Sequence, residues 1–226
     1  MNGNAAKLWW IVHKDLLSEW RARRVWPAML LFGTVVALVF GLQLDLLPTQ
    51  KTQLVGGLLW LAILFAALLV FDRSFAAERE EGCWEGLMQY PLSPSTIYLA
   101  KLAVNVLALA ALECALIPLF TLFSGVSLWQ HPAAMLAVAA LGNVSIASLG
   151  TLLAAATAGM REAGSRSTLV LLPLVIPVIL AAAEATRLLA QNDLGPQCWR
   201  WIQLLLACAV LFVTAGIVLF DFLIED

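Results

Sequence analysis

Six apolar runs, each close to the length a lipid bilayer demands, fix what this 226-residue chain can fold into. They cover roughly residues 27–47, 54–71, 99–124, 132–158, 168–190 and 199–220. A hydrocarbon core of about 30 Å takes about 20 apolar residues to cross as a helix. Charged residues make up only 12% of the chain against 62% hydrophobic, where a soluble domain carries about a quarter charged residues. The expected fold is an all-α polytopic membrane protein with six transmembrane helices, one membrane domain over residues 1–226. The formal charge of −2 gives no footprint for nucleic acid. No secretory signal peptide is expected, because a charged, Trp-rich segment precedes the first apolar run without a small-residue cleavage site.

Lys and Arg set the expected orientation. One side collects Lys7, Lys14, Arg21, Arg23, Arg24, Arg73, Arg79, Lys101, Arg161 and Arg166, and the other only Lys51, Arg187 and Arg200. That ten-to-three split places both termini in the cytoplasm, as an even number of spans requires. Cys198 then stands alone on the outer side and has no intramolecular disulfide partner there.

Residues 7–26 read as an amphipathic helix lying in the membrane interface. At 100° per residue Leu8, Trp9, Val12, Leu16 and Trp20 share one face, and Lys7, Lys14, Ser18 and Arg21 the other. It serves as a topology anchor, as an elbow onto a partner subunit, or as both. The fourth run is dense in small residues, among them Gly142, Ser145, Ser148 and Gly150, which permit close helix packing where lipid supplies no hydrophobic drive. Asn143, Ser145 and Thr151 fit a pathway lining as the alternative to helix contact. In the fifth run, Pro173 and Pro177 each remove a backbone donor, so a bend or local unwinding is expected.

Two acids sit at membrane depth. Glu113, near the middle of the third span, must face the bundle interior or a partner, because a mid-bilayer charge costs roughly 2.5–3.5 kcal/mol on insertion scales. Glu184 and Arg187, at i and i+3 near the outer end of the fifth span, read as a local ion pair. Both acids are candidate intramembrane functional residues, with structural hydrogen bonding as the other reading.

Enzymatic chemistry has little to stand on. There is no GxxxxGK[ST] loop for nucleotide, no GxSxG elbow and no HExxH helix. The two histidines, His13 and His131, fall on opposite sides of the membrane, so they cannot share one iron. The informative polar stretch is residues 72–98. It carries Asp72, Glu78, Glu80, Glu81 and Glu85 with Arg73 and Arg79, and Pro91 and Pro94 close it. Phe75 to Met88 reads either as a solvated loop helix or as a cytoplasmic helix whose Trp84 and Leu87 enter a groove on a motor protein.

The run Glu81-Gly82-Cys83-Trp84-Glu85-Gly86-Leu87, followed by Pro91-Leu92, Pro94 and Ala100-Lys101, resembles the coupling segment of the haem exporter protein B family (CcmB). The likeness extends over the whole chain: an amphipathic start, six spans, Pro118 in the third, and LLPLVIP at 171–177. Trp84 and Gly86 stand where the family would carry a leucine and a longer polar residue. The resemblance implies an ABC-2-type permease fold in the bacterial inner membrane and a part in cytochrome c maturation. The implied partners are an A-type ATPase that binds ATP, a haem-handling C subunit, a small D subunit and a second copy of the chain. It implies coupling to the ATPase through Glu78, Glu81, Gly82, Trp84, Glu85 and Leu87, with haem as cargo of the complex and no cofactor held by this chain. The shortage of haem ligands favours a mechanical role over direct haem carriage. An ABC-2 exporter permease for a lipid or glycan, and a non-transporting assembly subunit, are the competing functions.

Overall fold

A computed structural model describes residues 12–13, 25–43, 48–74, 93–158 and 164–225. The described chain is all helix with short turns: α1 Val25–Gln43, α2 Pro48–Ser74, α3 Pro94–Ser124, α4 Pro132–Ala158, α5 Gly164–Ala190 and α6 Pro196–Glu225. Five of the six contain a stretch long and apolar enough to cross a membrane, and α1 adds a shorter apolar stretch, Met29–Gly41. Helices suit that setting because each satisfies its own backbone polar groups where no water does so.

Local sequence fixes the helix ends. Proline opens α2, α3, α4 and α6, the position where its missing N–H is already an orphan and its fixed φ suits the first turn. At the start of α3 the Ser93 carbonyl accepts from Thr96 and Ile97. Gly125 ends the same helix at φ 71°, its N–H donating to the Thr121 carbonyl, a left-handed cap that a side chain would strain. Asn192 turns the chain after α5 at φ 60°, and Asp193 Oδ1 accepts from Gly195 N at 2.8 Å to set the start of α6.

The element bounds follow the expected spans, with α2, α3, α5 and α6 reaching a few residues further at their ends. Residues 44–47, counted in the first expected span, lie outside the described residues. α5 runs as one helix through Pro173 and Pro177, both exposed. Local unwinding, one of the two outcomes expected there, does not occur. Of the expected interfacial helix only Val12 and His13 are described. Both are helical; His13 is exposed, and Val12 is buried against Ala100 and Val104 of α3.

Packing puts α4 at the centre, in contact with α2, α3, α5 and α6, while α1 leans on α2 and α3 from the side. Small residues on α4 make room for large ones on α2. A Cβ at Gly142 would collide with the Trp60 indole, and one at Gly150 with the Phe71 ring. Trp60 is fully buried, and its Nε1–H donates to Thr186 Oγ1 of α5 at 3.0 Å. One indole thus ties three helices. The reading of the α4 small residues as a close-packing face holds. The outward side of the bundle is apolar, with Leu206, Val210, Leu211 and Val218 of α6 about half exposed, as a surface facing lipid requires.

Candidate functional site

The polar side chains at membrane depth converge on the seam between α3 and α4. Glu113 is 5% exposed and Asn143 2%, and Asn143 Nδ2 donates to Glu113 Oε2 at 2.8 Å. Asn105 Nδ2 donates to Thr151 Oγ1 at 2.7 Å, and the Thr151 hydroxyl in turn donates to the Ala147 carbonyl at 2.7 Å. Asn105 and Glu113 lie eight residues apart on α3, as do Asn143 and Thr151 on α4. At 1.5 Å rise per residue both spacings are about 12 Å, so the two bridges join antiparallel helices at matching levels.

Tyr98 forms a third link between the same helices. Its hydroxyl lies 2.6 Å from Ser148 Oγ, its ring packs against Phe220 of α6 with centroids 5.6 Å apart, and a Cβ at Gly216 would collide with its hydroxyl. Tyrosine suits such a place because one end is apolar and the other needs a partner. Lys101, counted above as a topology signal and in the family likeness, is itself buried in the second turn of α3.

At the opposite end of α3, His131 Nε2 lies 2.6 Å from Asn192 Oδ1. This contact joins the α3–α4 turn to the α5–α6 turn, so both turns share one end of the bundle. Beside it, Arg187 Nε and Nη2 both reach Glu184 Oε2, at 2.9 and 2.7 Å, and Nη1 donates to Gln191 Oε1 at 3.0 Å. The local pair expected from the i, i+3 spacing is present and partly exposed, a setting in which an ion pair contributes at most about 1 kcal/mol. No group of three or more metal-ligating side chains occurs among the described residues. Cys114, Cys198 and Cys208 are free thiols. Cys198, expected on the outer side, is buried in the first turn of α6.

Sequence reasoning selected Glu113 and weighed Asn143 and Thr151, but did not pair them, and it passed over Asn105, Tyr98 and Lys101. The signal was available: two polar residues eight apart on each of two adjacent antiparallel spans can bond crosswise. The segment holding Glu78, Glu81, Gly82, Trp84, Glu85 and Leu87 lies outside the described residues, as does Cys83.

The family model for CcmB protein matches residues 6–223. The chain belongs to the CcmB family. Among its relatives, Heme exporter protein B of Pseudomonas aeruginosa is 30% identical over 181 residues, covering 80% of this chain and 81% of the relative. The proteins of the same name from Haemophilus influenzae and Escherichia coli K12 are 28% and 27% identical over 77% and 78% of this chain, and 78% and 80% of their own lengths. In this CcmB-family bundle the buried polar bridges of the α3–α4 seam are the candidate site.

Proposed function

We propose that this chain is the membrane permease subunit of an ABC-type complex for cytochrome c maturation in the bacterial inner membrane. It couples a partner ATPase to export of haem or to release of a haem-loaded periplasmic chaperone. The observation that carries this reading is the family match from residue 6 to residue 223, joined to relatives named Heme exporter protein B. Haem is the cargo of the complex, and no residue of this chain is assigned to ligate it.

The packing suggests how such a subunit works. It has no nucleotide loop, so the energy enters through a cytoplasmic contact, which we place at residues 78–87. A push on that segment acts on the end of α2 and the start of α3 together. The Glu113–Asn143 and Asn105–Thr151 bonds carry it from α3 to α4, and Trp60 carries it from α2 to α5. Packed cores switch between arrangements rather than deforming smoothly, so a seam stitched by few, well-placed polar bonds suits a two-position lever. The complete complex would hold an A-type ATPase, a haem-handling C subunit, a small D subunit and a second copy of this chain.

Co-purification from native membranes tests the proposal. The tagged chain is expected to bring down an ABC ATPase together with a haem-handling membrane subunit. Recovery of the ATPase with enzymes of a glycan or lipid pathway instead would overturn it.

A further inference from the structure

We infer that Glu113 and Asn143 form a proton site inside the membrane, the Glu113 carboxyl keeping its proton and pairing with the Asn143 amide at two points. The inference concerns the α3–α4 seam alone and stands whether or not the complex handles haem. It starts from what the printed bond leaves over. Asn143 Nδ2 donates to Glu113 Oε2, yet Glu113 Oε1 and Asn143 Oδ1 are each fully buried without a hydrogen-bond partner. An ionised carboxylate and an amide oxygen are both acceptors only, so neither can satisfy the other. One proton on Oε1, donated to Oδ1, closes a ring in which each group gives one hydrogen bond and takes one.

The charges around the pair point the same way. Among the described helices α3 packs against α1, α2, α4 and α6, and α1 and α4 carry no charged side chain at all; Val12, next to His13, meets α3 at Ala100 and Val104, nine or more residues before Glu113. α2 carries Lys51, Asp72 and Arg73, all near its ends, and α6 carries Arg200, Asp221 and Glu225, also near its ends. The thiols of Cys114 on α3 and of Cys198 and Cys208 on α6 supply no positive charge. On α3 itself Tyr98 is neutral and bonded to Ser148, while Lys101 lies twelve residues before Glu113, about 18 Å along the helix. Among the described residues no cation is placed to balance a carboxylate at this depth, and a buried unpaired charge is strongly disfavoured. A single proton removes the charge and satisfies both orphaned oxygens.

The pair then works as a coupled latch. Separating α3 from α4 breaks two bonds at once, and losing the proton breaks one while leaving a charge. Motion at the seam and proton release are therefore linked.

Infrared spectra of the full-length chain in lipid nanodiscs at neutral pH test this directly. Subtracting the Glu113→Gln spectrum from wild type should reveal a carboxylic-acid carbonyl band, and Asn143→Leu should shift that band. Loss of carboxylate bands alone in Glu113→Gln would overturn the inference. Should Glu113→Gln fail to insert, the exchange Glu113→Gln with Asn143→Asp rebuilds the acid–amide pair in reverse order. That double variant should insert and show an acid band, and its absence from an inserted protein would equally overturn the proposal.

Discussion

Glu113 meets the most demanding environment of any acid among the described residues, and its tolerance to substitution follows from its hydrogen bonds. Glutamine keeps the shape and can still exchange bonds with Asn143, so Glu113→Gln should unfold within about 0.5 kcal/mol of wild type. Leucine removes the acceptor of Asn143 Nδ2 and leaves a buried amide without any partner, which costs about 1–3 kcal/mol. Thermal unfolding in nanodiscs, with the level of mature c-type cytochromes in cells, separates the two. Normal stability and maturation in Glu113→Leu would remove this residue from the functional site. The need for a partner was legible in the sequence, because an acid in the middle of an apolar run has few alternatives. Which partner it takes depends on the register of α3 against α4, and that is a property of packing.

At the scale of elements, the close contact of α2 and α4 is the most exposed to test. Gly142→Ala places a methyl group into the buried Trp60 ring, and overpacking of this kind costs typically about 1–3 kcal/mol. Gly57→Ala meets open space and should leave stability unchanged or raise it by about 0.5–1 kcal/mol, since alanine is the better helix former. Equal melting temperatures for the two variants would contradict the packing described here. The proposed coupling segment, residues 78–87, supplies a second test. Losing a buried anchor at an interface costs about 2 kcal/mol or more, whereas a rim charge contributes less. Leu87→Asp is therefore expected to release the ATPase in a pull-down, and Glu81→Ala with Glu85→Ala to weaken coupling while insertion stays normal. Undiminished ATPase binding by Leu87→Asp would move the proposed contact to residues 159–167, where α5 begins, or to the N-terminal residues 7–26. Helix positions were legible from apolar runs bounded by prolines. The continuity of α5 through Pro173 and Pro177 was not, because a proline marks a lost hydrogen bond but neighbouring helices decide whether the helix stays whole.

For the whole molecule, the six-helix plan was readable because length and apolarity are properties of the chain alone. The arrangement around α4 was not, since which small residue receives which large one is settled only when the helices meet. The charge asymmetry also predicts a topology: reporters placed after Asp226 and near Gln89 should read cytoplasmic, and one near Gln130 external. An external reading at Gln89 would break the plan of two cytoplasmic termini. A part in cytochrome c maturation is measured most directly as the content of mature c-type cytochromes in the source organism after deletion of this gene. Deletion should abolish haem-bearing c-type cytochromes, and the wild-type gene but not the Leu87→Asp variant should restore them. Wild-type cytochrome levels in the deletion strain would contradict it.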